Sequence, residues 1–313
     1  MTQVNWSRVA PLLQRLGSVI GLLLLFIVLS VMSPDFLTTG NLLSVLRQVS
    51  INALIAFGMT FVILAGGIDL SVGAILALTG AVTAGLMAAG HGMLLSMGAG
   101  LGLGLVLGMV NGALVSWGKV APFIATLGTM TLLRGLTLVY TQGTPIPVTD
   151  TGFALLGGGY LAHLIPLPVV WMFVVFAVCG FLLRGTVFGR HVVAIGGNEE
   201  AARLSGVRLP PMKLAIYGLS GLLSAVAGVV LTSRLYSAQA TAGAGYELDA
   251  IASVVLGGTS LAGGRGWLFG TLVGALLIGF LNNGLNLLGV SSFYQQVVKG
   301  IVILIAVLLD RRQ

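Results

Sequence analysis

Long apolar runs separated by short polar breaks dominate the chain from Gly17 onward, and their lengths predict helices that cross a bilayer. A hydrocarbon core about 30 Å thick needs about 20 helical residues at 1.5 Å each. On that measure ten spans are predicted, near 17–33, 48–66, 70–90, 93–116, 121–140, 168–184, 213–232, 248–262, 266–288 and 294–309. The eighth is about 22 Å long as helix and too short to cross, which predicts a half-inserted or broken segment. The apolar run from Ile51 to Gly90 would measure roughly 60 Å as one helix, so it must be two spans. It breaks at Gly66-Gly67-Ile68-Asp69-Leu70-Ser71-Val72-Gly73, where paired glycines stand beside the run's one charge.

Broken backbone at membrane depth is tolerated only where it is buried in protein or lines a wet cavity. An ionisable residue there is a functional candidate. Two readings of the break stay open. One is a hole for a transport pathway; the other is a tight interfacial turn in which Asp69, helped by Ser71, caps the next helix.

Composition agrees with the pattern. Hydrophobic residues make up 57% and charged residues 7%, with 47 glycines and a mean hydropathy of +1.07, values that exclude a soluble globular chain of 313 residues. The fold class is therefore all-α, a polytopic membrane bundle with broken or half-inserted segments, read as a single domain over 1–313. The formal charge of +7 is not a nucleic-acid footprint, because the cations follow an orientation rule. With the N-terminus inside, Arg8, Arg15, Lys119, Arg184, Arg190, Arg203, Arg208, Lys213, Arg265, Arg311 and Arg312 fall in internal connections, against Arg47 and Arg234 at external span ends. Arg134 and Lys299 lie within spans. This bias places both termini in the cytoplasm. Arg8 and Arg15 ahead of apolar Gly17 to Met32 mimic a signal peptide, but the many spans that follow make it a first transmembrane helix. The single Cys179 lies in an apolar run and provides no internal disulfide or cysteine metal cluster.

Span four carries Gly100, Gly104, Gly108 and Gly112 at intervals of four, plus Gly98 and Gly102. Such a face lets helix backbones approach closely, and packing inside one subunit is expected ahead of a dimer seam. Gly270 and Gly274 repeat the device in span nine. The first break also has an echo. Val62 to Ser71 resembles Val254-Val255-Leu256-Gly257-Gly258-Thr259-Ser260-Leu261, as in transporters built from two related halves with discontinuous helices between them.

The longest internal connection runs from Gly185 to Met212 and contains a short, fully punctuated helix. Asn198 stands at the N-cap, Glu199 and Glu200 in the first turn, Arg203 in the last turn and Gly206 at the stop, with Pro210 and Pro211 forbidding continuation. A helix of about two turns is marginal in water. It is held either in a partner's groove or on the protein's own membrane face.

Catalytic signatures are missing from the sequence. It has no Gly-x-x-x-x-Gly-Lys-Ser/Thr phosphate loop, no Gly-x-Ser-x-Gly and no His-Glu-x-x-His, and His91, His163 and His191 are scattered. The intramembrane polar candidates are Asp69, Arg134 and Lys299, with Asn52, Asn111, Asn282, Asn283 and Asn286. Asn282 and Asn286 are four apart and share a helix face, and amides hydrogen-bond neutral polyols without trapping charge. The pathway candidates are Asn52, Gly66, Gly67, Asp69, Ser71, Gly257, Gly258, Ser260, Asn282, Asn283 and Asn286.

Several stretches together resemble a known family. The Gly66 to Gly73 break, the run Ala194-Ile195-Gly196-Gly197-Asn198-Glu199-Glu200-Ala201-Ala202-Arg203-Leu204-Ser205-Gly206, and Gly257 to Gly264 resemble the membrane subunits of bacterial ABC importers for monosaccharides. So do Tyr246 to Ala250 and Phe280 to Ser292, so that the resemblance covers almost the whole chain. It implies a non-catalytic permease in the bacterial inner membrane, surrounded by lipid and paired as a homodimer or heterodimer. A cytoplasmic ATPase would bind ATP and Mg, leaving no cofactor in this chain, and a periplasmic binding protein would deliver the sugar. Ribose is the implied cargo, with another pentose, a hexose or a small polyol as the alternative. Gly197 to Gly206, within a cytoplasmic loop at 185–212, is then the coupling helix that sits in a cleft of the ATPase. Arg47, Arg234, Glu247 and Asp249 are the candidate charges for docking the binding protein. The external connection from Thr141 to Pro166, with Gly157-Gly158-Gly159, departs most from the family. Two rivals are an ion-coupled secondary carrier, which leaves the capped cytoplasmic helix without a role, and an intramembrane enzyme, which lacks a paired nucleophile and base.

Overall fold

Each apolar run becomes helix because a helix satisfies every backbone polar group within its own segment, as an apolar solvent demands. The computed structural model describes residues 6–310, with side chains over 17–308. Its helices are α1 (Trp6–Met32), α2 (Thr39–Leu64), α3 (Val72–Ala88), α4 (Met93–Ser116), α5 (Pro122–Thr141), α6 (Thr151–Gly158), α7 (Leu167–Gly185), α8 (Val187–Gly197), α9 (Glu199–Leu204), α10 (Leu209–Leu235), α11 (Tyr246–Leu256), α12 (Leu268–Leu287) and α13 (Ser292–Asp310). Among the described residues α2, α4, α5, α7, α10 and α12 are long and apolar enough to cross a membrane. The chain is a predominantly helical, multi-pass membrane protein. Arg311 and Arg312 of the orientation count lie outside the described residues, as do the side chains of Arg8 and Arg15.

Each of the ten predicted segments overlaps a helix, six of them long and apolar enough to cross, while Gly17–Met32, Val72–Ala88 and Ser292–Leu308 are shorter apolar helices. α2 starts at Thr39 rather than near 48, because Thr38 caps it by accepting from Asn41 N and the first turns carry polar Asn41, Arg47 and Gln48. The short helix α9 ends at Leu204, ahead of Pro210 and Pro211, and the two prolines sit in the first turn of the next helix, α10, where a missing N–H costs nothing. The connection from Gly185 to Met212 holds a second helix, α8, in addition to the short α9. Its β-branched and glycine content hides it from propensity, while Thr186 Oγ1 caps it by accepting from Gly189 N.

The glycine face of α4 packs within the subunit. Gly100 meets Thr79 and Thr83 of α3, while Gly104, Gly108 and Gly112 meet Gly221, Tyr217 and Leu214 of α10, with no space for a Cβ at any of the four. Gly98 and Gly102 face open space. α2, α10 and α12 are the innermost crossing helices, and α2 is buried on every side from Ala53 to Leu64.

The connection from Thr141 to Pro166 folds back onto this core. β1 (Ile146–Pro147) pairs antiparallel with β4 (Ser237–Ala238), and β2 (Tyr160–Leu161) pairs with β3 (Ile165–Pro166). Between them α6 is capped by Asp150 and tied to α10, where Ser233 Oγ donates to Phe153 O and accepts from Gly157 N.

After α10 the chain does not turn straight into helix. Ala238 packs beside Ala81 and Ala84 of α3, whereas Gly243 lies against Gly73 and Leu76. The non-helical stretch therefore descends about 12 Å along α3 before α11 begins. Its backbone is satisfied by charges: Arg134 Nη1 donates to Ala242 O at 2.5 Å, and Glu247 Oε1 accepts from Gly245 N at 3.2 Å. This partly buried path along α3 was not expected from sequence.

Candidate functional site

The two glycine breaks are the same structural motif. α2 ends with Gly66 at φ +78, where Gly66 N donates to Ile63 O and Gly67 N to Val62 O, both at 2.9 Å. α11 ends with Gly258 at φ +84, where Gly258 N donates to Val255 O at 2.9 Å and Thr259 N to Val254 O at 3.2 Å. Each is a Schellman stop with glycine in the left-handed position, so the internal echo has a structural counterpart. Of the eighth predicted segment, 248–262, only the part up to Leu256 is helical, as the end of the 11-residue α11.

Asp69 follows the first stop and is fully buried. Its Oδ1 accepts from Ser71 N at 3.0 Å and Ser71 Oγ at 2.6 Å, and its Oδ2 accepts from Ser220 Oγ of α10 at 2.9 Å. Asn111 of α4 donates to Ser71 Oγ at 2.7 Å. The expectation that Asp69 caps α3 is corrected, because the N-cap is Ser71, which makes no side-chain cap bond. Asp69 and Ser71 are spent on holding α3 against α4 and α10. They present no free polar atom to a pathway in this conformation.

The segment Gly185 to Met212 is anchored on one side and open on the other. Asn198 Oδ1 accepts from Ala201 N at 2.9 Å, and Gly206 at φ +90 ends α9 in a third Schellman stop. Ile195, Ala202 and Val207 form a small apolar cluster with Ala65, Leu209 and Met212. This cluster holds the short helix on its own protein. Glu199, Glu200, Ala201, Arg203 and Leu204 remain exposed, Leu204 at 74%. Arg203 clasps Glu200 through two bonds of 3.0 and 2.5 Å, which holds the Glu200 carboxyl below its ordinary range, and Lys213 pairs with Glu199 at 2.7 Å.

Three glycine pairs meet where this segment joins the breaks. Gly264 N donates to Leu64 O at 2.9 Å. Gly196, at the end of α8, lies so close to Leu64 O and Gly264 N that a Cβ would overlap both, and Gly263 lies against Gly196 and the N–H of Gly66. The chain leaving the second break thus touches the first break, and α8 touches both, backbone to backbone. Asn198, one residue past Gly197, starts α9. Beside this junction a cavity of about 1090 Å³ is lined by Gly66, Gly67, Trp117, Lys119, Arg203 and Tyr217 among others.

The predicted amides have separate fates. Asn52 bonds Ser253 of α11 at 3.3 Å, and Asn52 and buried Asn282 both line one small cavity. Asn283 and Asn41 exchange two bonds of 2.7 and 3.1 Å between α12 and α2, while Asn286 is exposed and accepts from Gln295. Asn282 and Asn286 therefore do not act on one buried face. Gly257 O accepts from Trp267 Nε1 at 2.9 Å, and Ser260 N donates to Arg265 O within the turn that follows.

Two docking charges are corrected. Asp249 is 7% exposed and paired with Lys299 of α13 at 3.0 Å, so it is an interior ion pair. Glu247 is half-buried with Oε2 enclosed near Gly73, serving the non-helical stretch. Arg47 stacks on the Tyr160 ring at 4.6 Å, and Arg234 stands half-buried at the end of α10. Sequence reasoning missed Ser220 and the Asp249–Lys299 pair; each depends on a contact between residues far apart in the chain.

Comparison with known proteins gives one family. Residues 41–307 match the model described as branched-chain amino acid transport system, permease component. The ribose import permease protein of Bacillus subtilis is 61% identical over 96% of this chain and 94% of its own length. The proteins of the same name from Haemophilus influenzae and Escherichia coli are 53% and 52% identical, over 94% and 95% of this chain and 92% and 93% of theirs. No solved structure matches. The chain belongs to this family of transport-system permease components.

Proposed function

We propose that this chain is the membrane permease subunit of an ATP-driven importer that carries ribose across the bacterial inner membrane. The observation that carries the reading is identity of 52–61% to ribose import permeases along nearly the full length of both partners. The chain acts as one permease domain with ten membrane-embedded segments and both termini in the cytoplasm. It pairs with a second permease. ATP and Mg belong to a separate ATPase, and a periplasmic binding protein supplies the sugar.

The glycine junction supports a specific coupling route. The exposed side of Gly197 to Gly206 docks in the ATPase, and movement of α9 passes through Gly196 to Leu64 and Gly264, where the chains leaving both breaks meet. The breaks then open alternately to either side, with the 1090 Å³ cavity as the inner vestibule. Each state of the ATPase must favour one state of the permease for this to drive transport. Arg47 and Arg234 remain the charges offered to the binding protein.

The test is labelled-ribose uptake in bacteria lacking their own ribose permease but retaining its ATPase and binding protein. Uptake restored by this chain and insensitive to a protonophore at normal ATP is expected. Uptake abolished by the protonophore would identify an ion-coupled carrier instead.

A further inference from the structure

Between α2, α11 and α12 lies a cavity of about 20 Å³ lined by Asn52, Tyr246, Asp249 and Asn282 among others. Asn282 is 9% exposed and Asp249 7%. Asn52 Nδ2 contacts Ser253 Oγ, and that hydroxyl spends its own hydrogen on Asp249 O at 2.7 Å. Ser253 therefore accepts from Asn52, which fixes the amide orientation and leaves Asn52 Oδ1 free. Asn52 Oδ1 and Asn282 Oδ1 are both enclosed, and neither has a donor. Buried acceptors are nearly always satisfied. A cavity of this size holds one water-sized oxygen, which needs about 10–15 Å³.

The charges decide what kind of ligand fits. Amide and carboxylate oxygens also suit a small cation, but Lys299 Nζ already lies 3.0 Å from Asp249 Oδ2 and would repel a second positive charge at short range. A single water carries two O–H donors, one for each amide oxygen, and adds no charge. We propose that Asn52, Asn282 and Asp249 form a binding site for a single hydroxyl donor. One water fills it at rest, donating to both amide oxygens, and a sugar hydroxyl replaces it during transport by donating to one of them, the latter resting on the sugar-permease reading above.

The test compares the chain in lipid nanodiscs with Asn52→Leu, Asn282→Leu and the double variant, by thermal stability and by ribose uptake in the complete complex. If a leucine variant does not fold, the serine variant takes its place. Each single change is expected to lower Tm, with the double no lower than the worse single, because both amides share one ligand. The KM for ribose is expected to rise about tenfold, the scale of one lost hydrogen bond. Additive losses of Tm would overturn the shared site. Non-additive losses with unchanged KM assign the site to water and overturn its sugar half. A Tm raised by sodium chloride over choline chloride would make it a cation site and overturn the neutral ligand. Absence of ribose uptake by the unaltered complex would instead defeat the permease reading, and the stability cycle would still decide the water site.

Discussion

Gly264 N donates to the carbonyl of Leu64 at 2.9 Å, and the backbone of Gly196 lies against both. This contact joins the ends of α2, α8 and the turn after α11 at one point, so the end of α8 cannot move without pressing on the chain leaving both breaks. Close packing transmits such displacements because the interior has little slack.

Gly196→Ala should therefore disturb coupling more than assembly. The added methyl has no space and must push the Leu64 or Gly264 backbone, an overpacking cost of about 1–3 kcal/mol. ATPase association measured by co-purification should persist, while sugar-stimulated ATP hydrolysis should fall about tenfold or more, as a shifted two-state equilibrium would give. Unchanged stimulation would remove the junction from the coupling route.

Glu200→Ala and Arg203→Ala should leave folding stability essentially unchanged, because the pair is solvent-exposed. Their effect should appear in the complex, as weaker ATPase association and lower sugar-stimulated hydrolysis. If both survive, the docking face lies elsewhere.

The same pair sets an expected pH response. The Arg203 bond depresses Glu200, so its contribution is complete above the ordinary carboxylate value of about 4.3 and is lost only as pH falls through a still lower value. ATPase association should be insensitive to Glu200→Gln titration differences between about pH 6 and 8. A titration of wild-type association near neutrality that Glu200→Gln abolishes would contradict this assignment.

Asp69→Ala should destabilise the chain by about 3 kcal/mol, since it leaves the donors on Ser71 and Ser220 without an acceptor. Asp69→Asn keeps one acceptor oxygen and should cost less. Thermal unfolding in nanodiscs checks the order of the two variants. Equal stability, with transport lost in both, would return Asp69 to the pathway.

Lys299→Met should cost about 3–5 kcal/mol because it strands a buried carboxylate, and Asp249→Asn combined with it should recover much of the loss. A double-mutant cycle in Tm measures this. Additive losses would show that the pair is not coupled.

The sequence carried the helices well, because an apolar run about 20 residues long has few alternatives in a membrane. The breaks were legible for a related reason: paired glycines followed by polar residues mark a Schellman stop, and the motif occurs twice. The descent from Ser237 to Gly245 was not legible. Thr241-Ala242-Gly243-Ala244-Gly245 is small and apolar, and its satisfaction by Arg134 depends on a helix more than 100 residues earlier. Asp249 was misjudged for the same reason, since its position near a span end suggested a rim and the ion-pair partner lies 50 residues away. The glycines of the junction were each visible as pairs, but their meeting is a tertiary fact.

The most direct test of the account is labelled-ribose uptake into proteoliposomes holding this chain and its ATPase, with binding protein outside and ATP inside. The account predicts accumulation that requires both ATP and the binding protein, and that falls sharply with Gly196→Ala while ATPase association persists. Ribose entry without ATP, or undiminished accumulation through the Gly196→Ala chain, would contradict it.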